Sequence, residues 1–174
     1  CHSPEALLQA GVSHLQAAAS ASVDLPCVLA LTETAQDHWF ASLTSGRHRL
    51  PEGTTIRLLE DNRSAHIRLS DTEVWVIAGR QIVTRERLEI LALGTSATFE
   101  DGQDIDTVLK QVIEADAIPV LAWAPGKWLG KRAAVVTRVI DTYSDRLWIG
   151  DSSLRCTLWP QPEGFRSSSR PVLA

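Results

Sequence analysis

The chain has 174 residues, with 17 basic and 21 acidic side chains, a net charge of −4 and a pI near 5.7. Hydrophobic residues make up 44% and charged residues 22%, enough for one α/β domain with a sizeable core. There is no basic stripe of the kind a nucleic-acid binder carries, no apolar run long enough to span a bilayer, and no basic-then-apolar leader. Neither a nucleic acid nor a membrane is therefore an expected partner.

Cys1, Cys27 and Cys156 are odd in number and widely spaced, and none forms a C-x-x-C pair. Neither a disulfide framework nor a structural zinc site is expected, and a reducing cytoplasm is the expected compartment. Cys27 lies in an apolar run and reads as a core thiol. The sequence contains no methionine, so the expectation is a domain that begins inside a longer product. A leading Cys also suits a lipoprotein or an N-terminal nucleophile, but a helix signal follows it at once.

Ser3-Pro4-Glu5 reads as a helix start, and Leu7, Leu8, Val12 and Leu15 continue at helical spacing to about Ala21. Cys27–Leu31 is a compact apolar run, expected to be a strand buried on both faces in a parallel sheet. A short helix with Trp39, Phe40 and Leu43 follows. Ile56–Leu59 and His66–Leu69 are half-polar strands around an Asp61-Asn62 turn. Val74–Ile77 and Leu88–Leu93 are stronger strands, ended by Gly79 and Gly94.

Ile105, Val108, Leu109, Val112 and Ile113 mark an amphipathic helix. Ile118–Ala122 is a buried strand, and Ala133–Tyr143 is a second helix. Leu147–Ile149 and Pro171–Leu173 are strands, with a proline-rich loop from Trp159 to Gly164 between them. No repeat or domain-splitting linker interrupts this order.

In α/β sheets, ligands collect beyond the carboxyl ends of the strands. That rule selects Glu33, Arg80, Gln81, Trp123, Lys127 and Asp151. Each has a plainer role open to it. Glu33 can cap a helix, Gln81 and Asp151 can sit in turns, and Trp123 can simply pack. Lys127 reads as opening a helix, with Lys131 and Arg132 one turn later. That is either a solvated basic face or an anion site.

Gly126-Lys127 is not a P-loop, because Leu121 and Trp128 stand where Gly and Ser/Thr are required. Gly150-Asp151-Ser152 is not a nucleophile elbow. The five histidines show no metal-ligand spacing.

The segments LALTET (29–34), AGRQIV (78–83), LEILALG (88–94), IPVLAWAPGKWLGKR (118–132), LWIGDSSLR (147–155) and WPQPEGF (159–165) together carry a resemblance. Their order resembles the polymerase-and-histidinol-phosphatase (PHP) superfamily of metal-dependent phosphoesterases, and more closely a divergent bacterial branch of it. The resemblance implies a PHP-like distorted (β/α)7 barrel, here lacking its first and last segments, with a metal cluster at the carboxyl rim. The open edges so created imply self-association.

Such proteins carry an early H-x-H pair, a T-D-H triplet, a glutamate on a G-x-E strand, a histidine after a later strand and a late D-x-H. Here the triplet matches Thr32-Glu33-Thr34. Gln81 stands at the bridging glutamate and Trp123 at the later histidine. The two histidine pairs would fall before Cys1 and after Ala174.

A multi-metal hydrolase needs anionic or imidazole ligands to hold cations and generate hydroxide. The resemblance with these departures implies a degenerate metal site with weak or no hydrolase activity. At most one divalent ion (Zn, Mn or Mg) would be held by Glu33 and Asp151, which are also the residues left for acid–base work. Lys127, with Arg80, Gln81 and Trp123, would bind a phosphorylated or otherwise anionic small molecule. The alternatives are an active phosphoesterase completed by further segments, and a non-catalytic scaffold whose six tryptophans serve packing or a partner surface.

Overall fold

A computed structural model describes residues 6, 8–11, 13, 27–46, 50, 52–69, 72–124, 126–151 and 172–173. The strands are β1 (Cys27–Glu33), β2 (Thr55–Leu58), β3 (Ser64–Leu69), β4 (Thr72–Val83), β5 (Glu89–Leu93), β6 (Ile118–Ala122), β7 (Trp148–Gly150) and β8 (Val172–Leu173). The helices are α1 (Trp39–Thr44), α2 (Ile105–Glu114) and α3 (Lys131–Thr142). The strands form one mixed eight-stranded sheet, ordered β2-β3-β4-β5-β6-β7-β8, with β1 paired to β4 off that path. Among the described residues no strand joins the two ends, so the sheet is open.

β4 organises the sheet. β3 pairs with Thr72–Ile77 and β5 with Gly79–Val83, both antiparallel, while β1 runs parallel along Val74–Arg80. A strand has two edges, and β1 keeps one of them throughout. β3 and β5 must therefore share the other edge, end to end. Ala78 marks the handover. Its N–H donates to Arg63 O at 2.7 Å, and its carbonyl accepts from Gly94 N at 2.8 Å. The Arg63 guanidinium spans the fork, donating to the carbonyls of Gly94 (3.4 Å) and Asp116 (3.3 Å).

Two apolar cores lie on one face of this sheet. Opposed residues in a ladder share a face, so Leu29, Leu31 and Glu33 of β1 lie beside Val76, Ala78 and Arg80 of β4. Leu31, Val74, Val76, Ala78, Ala65 and Ile67 form the first core with Phe40 and Leu43 of α1. Ile82, Ile90, Leu121 and Ile149 form the second with α2 and α3. Along β4 the face reads Val74, Val76, Ala78, Arg80, Ile82, so Arg80 sits at the boundary between the cores.

Two local devices set the second core's helices. Asp104 caps α2 by accepting the Thr107 N–H at 3.0 Å, which satisfies a donor no helix can satisfy internally. Ile105, Val108, Leu109 and Val112 then fall on one buried stripe. Asp106 on α2 accepts from both Arg138 nitrogens on α3, at 3.0 and 2.7 Å, and from Tyr143 Oη at 3.3 Å.

Most expected elements stand where the spacing put them, with ends shifted by a residue or two. The described residues at 6, 8–11 and 13 are helical, and Leu8 is buried in the first core. The rest of that expected helix, the Trp159–Gly164 loop and Cys156 lie outside the described residues. The first strand is parallel as expected but not buried on both faces, because Val28 is 46% exposed. Gly79 does not end its strand: β4 continues four residues past it. Glycine is needed there for space. A Cβ at Gly79 would meet Ala92 O at 2.9 Å and Leu31 O at 3.0 Å.

Gly79→Ala should therefore destabilise the domain by about 1–3 kcal/mol in denaturant unfolding. A loss below about 0.5 kcal/mol would show that β1 and β5 have room to part. Hydrogen bonding from Arg138 holds the Asp106 carboxyl below its ordinary value of 3.8. A depressed folded value stabilises above the unfolded value, and that stability is lost as pH falls through the folded one. The pair is partly solvated, so Asp106→Asn should cost no more than about 1 kcal/mol at neutral pH. Its stability profile should converge with that of the parent protein as pH drops below the ordinary carboxyl value.

Candidate functional site

The strand ends gather the selected residues into two clusters rather than one. Glu33 pairs in register with Arg80, whose ladder partner on β5 is Ala92 and whose row ends on Pro119 of β6. Trp123 and Asp151 follow a different row, Val83–Glu89–Ala122–Gly150. Arg80 precedes Val83 by three residues, about 10 Å along a strand. Glu33 thus ends β1 well short of the level at which β6 and β7 end.

The first cluster lies on the helix-bearing face. Arg80 Nη1 donates to Glu33 Oε2 at 3.0 Å, and the two side chains are only 10% and 5% exposed. Glu33 Oε1 accepts the Phe40 N–H. Arg80 Nε donates to Ala97 O at 3.2 Å, and Nη1 also reaches Asp37 O at 2.8 Å. Both Glu33 oxygens are therefore engaged inside the protein. The carboxylate does hold the start of a helix, the plainer role open to it, with a buried counter-charge that the sequence did not signal.

The second cluster lies on the opposite face. Strand alternation turns Gln81 away from its neighbour Arg80. Gln81 opposes Leu91, and Val83 opposes Glu89. Gln81 and Glu89 are thus diagonal neighbours, roughly 7–8 Å apart. Lys127 reaches this face and donates to Glu89 Oε1, with side chains 30% and 24% exposed. Glu89 is the residue that strand-end reasoning missed, because it begins a strand rather than following one. The only signal for it was a carboxylate heading an otherwise apolar run.

Lys127 does not open a helix. Its N–H donates to Ala124 O at 3.0 Å in a turn, and α3 begins at Lys131 after Gly130, whose φ is +62°. That turn is pinned from below by Trp128, 8% exposed, whose Nε1 donates to Ala122 O at 3.2 Å. Arg132 donates back to Gly126 O at 3.0 Å. Trp123 packs on the second core, and its N–H donates to Gly150 O at 2.8 Å. Asp151 uses its N–H to tie β8, donating to Leu173 O at 2.7 Å.

Among the described residues, no three His, Cys, Asp or Glu side chains cluster as a metal site would require. His38 is the residue just before α1. His66 stacks on Trp75 with ring centroids 4.7 Å apart. No described helix is long and apolar enough to cross a membrane. Comparison of the chain with protein-family profiles, with curated proteins and with solved structures finds no match.

Removing the Arg80 charge should strand Glu33 in the interior. Arg80→Met is expected to cost about 3–5 kcal/mol in equilibrium unfolding. Adding Glu33→Gln should recover a large part of that loss. Simple additivity of the two changes would mean that the pair is not coupled.

Proposed function

We propose that the chain is a PHP-like domain with a degenerate metal site, which binds a phosphorylated or otherwise anionic small molecule beside Lys127 and has weak or no hydrolase activity. In this reading the open sheet is part of a distorted (β/α)7 barrel whose interior is the face bearing Gln81 and Glu89. The anion lies against the turn that carries Lys127.

The observation that carries the reading is the excess of positive charge at that turn. Lys127, Lys131 and Arg132 follow one another within a short stretch of chain, and Glu89 pairs with Lys127. An ammonium has three donors, and Glu89 takes one of those on Lys127. Among the described residues no other acceptor meets that ammonium, and in this reading its remaining donors take a ligand oxygen. On the metal side, the reading rests on the engagement of Glu33 by Arg80 and of Glu89 by Lys127. Each carboxylate would have to give up a cationic partner before it could ligate a metal. Gln81 offers a neutral oxygen that cannot bridge two cations as a carboxylate does.

Titration calorimetry with inorganic phosphate, in the presence of a chelator, tests the proposal. Binding should occur without metal. Lys127→Met should weaken it by about tenfold or more, since a charge-assisted hydrogen bond contributes about 1.5–3 kcal/mol. Glu89→Gln should strengthen it by freeing the ammonium. Phosphate affinity unchanged by either variant would overturn the proposal, as would tight uptake of two or more metal ions with phosphoesterase turnover.

A further inference from the structure

A cavity lies on the helix-bearing face of the sheet, away from Lys127. It encloses about 270 Å3 between α1, the Ala78–Arg80 stretch of β4 and the segment Thr95–Thr98. Its walls have two chemical characters. Phe40, Ala41 and Ala78 are apolar. Arg80, Thr95, Ser96, Thr98 and His38 are polar, and Glu33 also lines the space, with both carboxylate oxygens already engaged by Arg80 and the Phe40 N–H.

The buried guanidinium is the informative group. Three carbonyl or carboxylate partners take up Nε and Nη1 at 3.2 Å or less: Ala97 O, Glu33 Oε2 and Asp37 O. The described residues offer Nη2 no acceptor within hydrogen-bond reach, although the Arg80 side chain is nine-tenths buried. Nη2 is not a sealed, orphaned atom either, since Thr54, His66 and Gln103 supply the described side-chain atoms of that kind. It therefore keeps some exposure, and this cavity is one that Arg80 lines.

Thr95 is 3% exposed. Its Oγ1 accepts the Ala97 N–H at 3.1 Å, which leaves its hydroxyl proton to be given away. The polar wall is thus rich in donors. Arg80 and Glu33 together carry no net charge, so the wall holds a ligand through its free donors rather than through an unmatched cation. Like-charge repulsion from Glu33 rules out a dianion before it rules out a single negative charge spread over two oxygens.

We propose that this cavity binds a short-chain aliphatic carboxylate. The carboxylate accepts from Arg80 Nη2 and the Thr95 hydroxyl, and the alkyl tail lies against Phe40, Ala41 and Ala78. No bond is made or broken; the site is one of recognition. It is independent of the anion site beside Lys127, which lies on the opposite face.

The test is titration of the protein with sodium butyrate, with acetate and inorganic phosphate as comparison ligands, followed by calorimetry or by amide shifts at Thr95–Thr98. Butyrate should bind several-fold more tightly than acetate, because two further methylenes leave water. Phosphate should not displace it, and Lys127→Met should leave its affinity unchanged. Arg80→Lys keeps a cation beside Glu33 but removes the forked nitrogen, and should weaken butyrate at least tenfold. Ala41→Leu narrows the apolar wall from the exposed side of α1 without touching the ion pair. It should weaken butyrate and spare acetate, which decides the matter if Arg80→Lys fails to fold. The proposal is wrong if butyrate does not bind, if it binds no better than acetate, or if Ala41→Leu leaves both affinities unaltered.

Discussion

β4 is the one strand on which every other part of the sheet depends. Its twelve residues serve three partners, and one of its edges passes from β3 to β5 at Ala78. A single strand can do this only if the backbone stays extended across the handover and nothing bulky stands between β1 and β5. Gly79 provides the clearance. Arg63 ties the ends of the two consecutive partners by bridging Gly94 and Asp116. Both cores are then built on the same face of the same strand, and neither can be displaced without bending the other.

The same strand sets the chemistry. Arg80 and Gln81 are adjacent in sequence and point to opposite faces. Arg80 enters the seam between the cores and needs a buried counter-charge, which Glu33 supplies from the neighbouring parallel strand. Gln81 joins Glu89 and Lys127 on the other face. Charge at the strand ends is therefore divided into two sets, each built on its own ion pair, about 10 Å apart along the strand direction. Glu33 lies in one and Asp151 beyond the other, so the two carboxylates that the sequence offered as joint metal ligands end at different levels of the sheet.

Much of the fold was legible because hydrophobic spacing is a local signal. The stripe Ile105, Val108, Leu109, Val112 defined α2, and the apolar run Ile118–Ala122 defined β6. Asp61-Asn62 announced its turn, and Asn62 adopts a left-handed φ of 54°. Gly79 misled because a glycine inside a strand looks like a strand end when the neighbours that crowd it are distant in sequence. Lys127 was placed on a helix because the turn from Gly126 to Gly130, with left-handed glycines at both ends, leaves no trace in apolar spacing. Of the site, the strand-end rule found Glu33, Arg80, Gln81 and Lys127, but not the pairings among them. Glu33–Arg80 spans 47 residues of chain and Lys127–Glu89 spans 38, and one sequence carries no record of such contacts.

Native-state hydrogen exchange along β4 tests most directly whether this strand holds the domain together. If it does, the hydrogen-bonded amides on both sides of Ala78 should be the slowest in the protein. They should exchange only through global unfolding, with the same opening free energy for the stretch paired to β3 as for the stretch paired to β5. Two distinct opening energies, with Val74–Ile77 released while Gly79–Val83 stays protected or the reverse, would contradict the account. The sheet would then be two cooperative units joined by a strand that either half can abandon.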